Sequence, residues 1–193
     1  MSVNKRKLMS HKFKLRLFVC LLVVMPLMTV AGQTENIISL SDRMNYDRTP
    51  GFISITELTG GLGMSLTDVP YARYYSGITS MAGYQFTRNL MAGGGTGLHF
   101  HNDGTFLPLF LDARFSLNGN DFVPFFGATG GVAINLADPD NRTWLFINPS
   151  LGVRWVVAER RSVSFSIGMM TISGNLNRNS FLNFKLGLNL KGE

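Results

Sequence analysis

His99 and His101 are the residues of this chain best suited to bind a metal ion or to transfer protons near neutral pH. One residue separates them, so in a β-strand both would lie on the same face, with Asp103 next in the series. A metal site needs three or four converging ligands, and the third histidine, His11, falls in a segment that we expect to be cleaved. We therefore predict no metal, no cofactor and no catalytic residue, and assign His99 and His101 a polar, hydrogen-bonding role at the outer rim.

Five charged side chains interrupt segments that are otherwise apolar or uncharged, and they form a second candidate site. Isolated charges in a narrow interior are costly, so such groups must pair with each other. The pattern therefore predicts an ionic cluster that fills the interior of the fold. Glu57 is expected to contact Arg114 or Arg154. The full set is Glu57, Asp112, Arg114, Arg154 and Lys185.

A strict period of two in the last segment of the chain indicates what kind of element carries these charges. Apolar residues at 182, 184, 186, 188 and 190 alternate there with polar residues or glycine. This period is typical of a β-strand with one apolar and one polar face. The same alternation occurs in 143–157 and 162–172. Arg154 and Lys185 belong to the polar series of their segments, on the face opposite the apolar one.

Eight apolar-rich segments follow one another along the chain, separated by short turn signals rich in Asn, Asp, Gly and Pro. Consecutive strands joined by short turns pair antiparallel, and a series of eight can close on itself. The predicted fold class is all-β, an eight-stranded antiparallel up-and-down barrel. Glycines on the inward face suit its crowded interior. The segments are 52–65, 74–86, 89–100, 105–117, 122–135, 143–157, 162–172 and 181–190.

The first 32 residues have the composition of a secretory signal peptide. A basic start is followed by an apolar run over 17–28 and a small-residue cleavage site before Gln33. The run is shorter than the roughly 20 residues of a membrane-spanning helix. The predicted organisation is a signal peptide at 1–32, a polar lead-in at 33–50 and the barrel at 51–190.

Removal of the signal peptide changes the charge argument. The whole chain carries 18 basic and 12 acidic residues, and six basic but no acidic residues lie in 1–32. The mature chain therefore has 12 of each sign and no net charge, which gives no support to nucleic-acid binding. Cys20, the only cysteine, also lies in the signal peptide, so disulfides and thiol chemistry are not expected.

The alternating pattern fits a water-soluble barrel or a membrane barrel, and the composition of the polar face separates the two. Soluble domains average about 25% charged residues, whereas this chain has 16%. The polar series of the strands consists mainly of Gly, Ser, Thr and Asn, which suits a packed lumen better than a surface in water. An exported chain of such strands crosses a bilayer only as a closed barrel. The prediction is therefore a transmembrane β-barrel.

Aromatic residues concentrate near the ends of the predicted strands. Membrane barrels carry girdles of aromatic residues at both interfaces, so we expect these side chains to face outward there. The residues are Tyr74, Tyr75, Tyr84, Phe86, Phe100, Phe106, Phe115, Phe122, Trp144, Trp155 and Phe181.

Several stretches of the chain resemble the small eight-stranded outer-membrane barrels of Gram-negative envelopes, the porin-like or OmpA/OmpX-type proteins. The resemblance covers about residues 51–190. It implies an outer-membrane location reached through the general secretory route. The stretches are Gly83–Phe86, Thr87–Asn89 followed by Gly93, Gly95 and Gly97, Leu107–Phe110 with Arg114, Pro124–Gly127 and Gly130–Gly131.

The expected function is that of a non-enzymatic structural component of the envelope with a side-chain-plugged lumen. One alternative is a narrow porin-like channel for small solutes. Another is a lipid A-modifying enzyme, because some eight-stranded barrels are lipid A deacylases with a His-x-Ser-Asn motif. The matching stretch here, His99–Asn102, has His101 where the serine nucleophile would stand.

The resemblance also implies partners and a topology. The expected partners are outer-membrane lipid, lipopolysaccharide and the barrel-insertion machinery, with no nucleic acid and a monomeric state. An even strand count places both termini in the periplasm. Outer loops are then expected at 66–73, 101–104, 136–142 and 173–180, and inner turns at 87–88, 118–121 and 158–161.

Overall fold

The structure is a computed structural model that describes residues 49–64, 72–102, 104–117, 122–137, 143–158, 160–174 and 178–192. The predicted signal peptide and nearly all of the lead-in lie outside these residues. The strands are β1 (Gly51–Gly63), β2 (Tyr74–Gln85), β3 (Leu90–His101), β4 (Thr105–Ser116), β5 (Phe122–Asn135), β6 (Thr143–Ala158), β7 (Arg161–Ser173) and β8 (Arg178–Lys191).

These strands form one closed barrel. Each strand pairs antiparallel with its neighbours in sequence, and β1 pairs with β8 from Ile53↔Lys191 to Gly63↔Phe181. The predicted fold class is therefore confirmed, and each predicted strand corresponds to an observed one. No helix in the described part of the chain is long and apolar enough to cross a membrane.

The barrel has two distinct ends. We call the end at which β1 begins and β8 finishes the terminal end, and the opposite one the distal end. The connections at the terminal end follow β2, β4 and β6, and those at the distal end follow β1, β3, β5 and β7. Asp103, the acidic neighbour of the two histidines, lies outside the described residues.

The outer face of the barrel is largely apolar. Leu111 is 74% exposed, Phe52 67% and Leu145 65%, and large apolar side chains recur at alternate positions along most strands. A soluble monomer seldom exposes an apolar patch larger than a few hundred Å². The polar partners of the alternation point inward instead, so the fold has the inside-out polarity of a barrel surrounded by lipid.

The aromatic prediction is wrong for four residues. Tyr75, Phe106, Trp144 and Phe181 are at most 3% exposed and point into the lumen. The physical reason is the period of the strand, because Tyr74 and Tyr75 are adjacent and cannot both face outward. Tyr74 is exposed at the distal end. Other outward aromatic residues lie at the terminal end, where Phe52 packs edge-on against Tyr84 and Phe122 stacks on Trp155.

Two prolines interrupt the hydrogen-bonded ladder of the wall. Between β3 and β4 the pairing stops after Thr96↔Leu109 and resumes at His99↔Phe106, with Pro108 in the gap. Between β6 and β7 it stops between Ile147 and Ser150, where Pro149 lies. Proline has no N–H to donate, which accounts for both gaps. At the first gap the Thr96 hydroxyl donates a 2.9 Å hydrogen bond to the Pro108 carbonyl.

The two tryptophans provide a test of which face is which. Trp155 is 51% exposed on the outer face of β6, whereas Trp144, on the same strand, is fully buried in the lumen. In vesicles containing brominated lipids, we expect strong fluorescence quenching in a Trp144→Phe variant, which keeps Trp155. A Trp155→Phe variant, which keeps Trp144, should be quenched several-fold less. Equal quenching in the two variants would contradict the assigned faces.

Candidate functional site

Arg114 is the centre of an ionic cluster in the middle of the lumen. Its Nε donates to Asp112 Oδ1 at 2.7 Å, and its Nη2 donates to Glu57 Oε1 at 2.8 Å. Asp112 and Arg114 are two residues apart on β4 and so share its inward face. Glu57 reaches them from β1. The planar guanidinium, with several fixed donors, suits this simultaneous contact with two carboxylates.

Lys185 and Thr129 complete the cluster from two further strands. The Lys185 ammonium lies 3.7 Å from Glu57 Oε2 and donates to the Thr129 hydroxyl at 3.1 Å. Thr129 in turn donates to Asp112 Oδ2 at 2.6 Å. The cluster therefore contains two carboxylates and two cations, and it joins β1, β4, β5 and β8. All of its members are at most 9% exposed. Water therefore solvates these charges little, and they are stabilised by one another.

Arg154 also points into the lumen and is 6% exposed. It pairs across the wall with Val123 of β5, whereas the β5 residue level with Arg114 is Gly127. Arg154 therefore lies nearer the terminal end than Arg114. The ion pairs between described residues connect the other four charges of the predicted set.

Glycines make room for the large inward side chains. A Cβ on Gly61 would stand 2.1 Å from the ring of Tyr75, and one on Gly187 would stand 3.2 Å from Cγ of Glu57. These positions need the absence of a side chain, because the neighbouring strand sends a long one across them. The glycines thus fix where Tyr75 and Glu57 can lie.

An amide layer lies next to the ionic cluster on its distal side. The Asn183 side-chain amide donates to Thr59 Oγ1 at 2.8 Å and also to the Tyr75 hydroxyl, and it accepts from Asn148 at 2.8 Å. Asn148 and Asn183 are at most 2% exposed. The sequence analysis missed this layer, although both asparagines stand in the polar series of their strands.

An aromatic cluster fills the distal part of the lumen. The ring of Tyr75 stacks on His101 at 5.1 Å, and His101 meets Phe181 edge-on at 5.5 Å. Phe106 packs edge-on against Trp144 at 5.5 Å. The cluster consists of Tyr75, His99, His101, Phe106, Trp144 and Phe181.

The two histidines belong to this packed cluster. Both are 7% exposed, and their rings lie 5.0 and 5.1 Å from the ring of Tyr75. The sequence analysis placed them as hydrogen-bonding groups at the rim, whereas the structure buries them among aromatic rings. Among the described residues, no group of three or more His, Cys, Asp or Glu side chains could hold a metal ion.

Little open space remains between the ionic and aromatic clusters. A cavity of about 20 Å³ there is bordered by Lys185 and Thr129 on one side and by His99 and Tyr75 on the other. One water molecule needs about 10–15 Å³ of such space. This cavity therefore has room for about one water molecule.

Known proteins share this architecture, but no match is found at the level of sequence. No protein-family model and no curated protein sequence matches the chain. The solved structure of Neisserial surface protein A matches with a TM-score of 0.60 and 15% identity, covering 75% of this chain and 99% of that one. OprG, an outer membrane protein of Pseudomonas aeruginosa, matches with a TM-score of 0.49 and 10% identity, covering 76% and 97%. The N-terminal β-barrel domain of Pseudomonas aeruginosa OprF matches at 0.46 and 15% identity, covering 74% and 100%.

The first of these matches, together with strand order and the apolar outer face, decides the architecture. The chain has the fold of a small outer-membrane β-barrel. The resemblance found in the sequence is thus confirmed at the level of the fold. At 15% identity the similarity shows the fold alone.

The ionic cluster predicts a strong dependence of stability on Arg114. An Arg114→Met variant leaves two buried carboxylates with Lys185 as their remaining cation, and breaking a buried pair costs about 3–5 kcal/mol. We expect a loss of this size in urea unfolding from detergent micelles, read from the mobility of folded and unfolded protein on unheated gels.

A surface arginine and a double variant serve as controls. Arg88→Met, at an exposed turn, should change stability by less than about 0.5 kcal/mol. Glu57→Gln combined with Arg114→Gln should cost less than the sum of the single changes, because the double variant leaves neither partner charged. Additive effects would contradict the pairing.

Proposed function

We propose that this chain is a non-enzymatic protein of the outer membrane, a structural component of the envelope whose lumen is closed by its own side chains. The observation that carries the proposal is the succession of three packed layers across the lumen. The ionic cluster, the amide layer around Asn183 and the aromatic cluster follow one another along the barrel axis.

The outer face supports the membrane location. The strands are 12 to 16 residues long, which exceeds the roughly 9–11 residues of a tilted membrane crossing and leaves some for the rims. The terminal end would face the periplasm, because an even number of strands returns the chain to its starting side. The outward aromatic residues at that end, such as Tyr84 and Trp155, suit the membrane–water interface.

The same placement suggests partners. The apolar outer face would contact lipid acyl chains, and the distal rim would meet the lipopolysaccharide of the outer leaflet. Insertion would depend on the machinery that assembles outer-membrane barrels. The balanced charge of the predicted mature chain gives nucleic acid no surface to bind.

A closed lumen fits the size of the barrel better than a channel. Eight strands leave an interior just wide enough for side chains to fill, whereas porins of 16 or more strands hold an aqueous channel. The cavity of about 20 Å³ agrees with this limit. A catalytic role has little support, because His99 and His101 are packed among aromatic rings.

Fractionation tests the location. After expression in a Gram-negative host, we expect the mature protein in the outer-membrane fraction, resistant to washing with carbonate. It should migrate faster on gels when it is not boiled, because closed barrels withstand the detergent. Recovery in the soluble periplasmic fraction would contradict the proposal.

Conductance in planar bilayers tests the closed lumen. The unmodified protein should give no steady single-channel current, because the three packed layers stand in series. Opening one layer, with Glu57→Ala and Arg114→Ala or with Trp144→Ala and Phe181→Ala, should leave conductance near zero. A variant that combines these four changes with Asn183→Ala, and so opens all three layers, should conduct. Steady current from the unmodified, fully folded protein would overturn the closed lumen and favour a narrow channel.

A further inference from the structure

The cavity between the ionic and aromatic clusters is bordered by polar side chains from several strands. Lys185 of β8 and Thr129 of β5 border it from the ionic cluster, and His99 of β3 borders it from the aromatic cluster. Asn148 of β6 borders it from the amide layer. The volume of about 20 Å³ exceeds the space of about 10–15 Å³ that one water molecule needs. The cavity can therefore hold one very small hydrogen-bonding molecule.

Two buried atoms beside the cavity have no hydrogen-bond partner among the described residues. They are Nε2 of His99 and Oδ1 of Asn148, in residues that are 7% and 2% exposed. The other end of the Asn148 amide is used, since its Nδ2 donates to Asn183 Oδ1 at 2.8 Å. A buried polar atom without a partner is costly and uncommon in folded proteins. These two atoms therefore point to a ligand in the cavity.

The ammonium of Lys185 adds a hydrogen-bond donor to the same cavity. One of its three N–H groups donates to the Thr129 hydroxyl at 3.1 Å. Glu57 Oε2 lies 3.7 Å from Nζ, which is too far for a hydrogen bond. Lys185 can therefore donate to an acceptor in the cavity, whereas Asn148 Oδ1 can only accept. The ligand has to accept and donate at the same time.

We propose that this cavity binds one water molecule, which bridges Lys185, Asn148 and His99. The water oxygen accepts a hydrogen bond from the Lys185 ammonium, and the water donates one to Asn148 Oδ1. The third contact is with His99 Nε2, which accepts in one neutral tautomer of the ring and donates in the other. Water satisfies either tautomer. Three hydrogen bonds are typical of a buried water molecule.

The charges around the cavity favour water over an ion. Glu57 and Asp112 already balance Arg114 and Lys185. An added ion would therefore be a buried charge without compensation. A cation would in addition lie against the Lys185 ammonium, which repels it.

The bound water connects the three layers of the lumen. It contacts the ionic cluster through Lys185, the amide layer through Asn148 and the aromatic cluster through His99. The two histidines thus differ, because His101 does not border the cavity. The hydrogen-bonding role that the sequence suggested for both belongs at this cavity to His99, in the lumen and away from the rim.

A crystal structure of the unmodified barrel, at a resolution that shows ordered water, tests the site directly. We expect one water peak in the cavity, at about 2.7–3.2 Å from at least two of Lys185 Nζ, Asn148 Oδ1 and His99 Nε2. Absence of such a peak, or density that requires an ion, would overturn the proposal. The measurement uses detergent-solubilised protein, so its outcome is separate from that of the fractionation that tests the proposed function.

The histidine rings give a second measurement in solution. His11 lies in the predicted signal peptide, so His99 and His101 are the histidines of the predicted mature chain. With labelled histidine, nuclear Overhauser spectra of the barrel in micelles should show a cross-peak between the His99 ring and a slowly exchanging water molecule. Asn148→Leu should weaken this cross-peak several-fold, because the water loses one of its partners.

Asn189→Leu serves as the matched control. It makes the same change at another buried asparagine of the lumen, one that does not border the cavity, so the His99 cross-peak should keep its intensity. Both variants should migrate as folded barrels without boiling. A cross-peak that is absent from the unmodified protein, or that Asn148→Leu leaves intact, would refute the water site. If Asn148→Leu does not fold, the spectrum and the crystal structure of the unmodified protein decide.

Discussion

The pairing of Arg114 with two carboxylates is the interaction on which the barrel depends. Glu57 and Asp112 approach from different strands, and both would be costly to bury without a cation. One guanidinium satisfies both because its donors point in fixed directions. Lys185 and Thr129 take up the remaining carboxylate oxygens. The result is a neutral cluster in which removal of any one member leaves others without compensation.

The outer and inner faces of this fold obey opposite requirements. The outer face has to be apolar and is otherwise free to vary, whereas each polar group in the lumen has to find a partner. The lumen meets its requirement in layers, from paired charges through the Asn183 amide to aromatic rings. Polarity thus decreases from the middle of the barrel toward the distal end. Lumen and wall are coupled, because glycines such as Gly61 give the larger side chains their space.

The sequence predicted the faces of the strands better than the contacts within the lumen. Alternation alone places Glu57, Asp112, Arg114 and Lys185 inside, since strand position has a period of two. It does not say which of them meet, because contacts across a barrel depend on the stagger of the strands. For this reason the role of Thr129 was missed.

The prediction that all the aromatic residues face outward was wrong for a different reason. Aromatic residues are generally enriched at membrane interfaces, but the alternation of the strand decides which face each one occupies. Trp144 and Trp155 stand an odd number of residues apart on β6, so an uninterrupted strand places them on opposite faces. A stricter use of alternation would therefore have placed Trp144 inside from the sequence alone. The same rule separates Tyr74 from Tyr75.

The gaps at Pro108 and Pro149 leave two weak points in the pairing of the closed wall, one between β3 and β4 and one between β6 and β7. Pairing is unbroken through β4, β5 and β6, and again from β7 through β8 and β1 to β3. Arg114, Asp112 and Thr129 belong to the first group of strands, and Glu57 and Lys185 belong to the second. The ionic cluster therefore links the two groups across the lumen. Amide hydrogens beside the gaps are expected to exchange with solvent before those within each group.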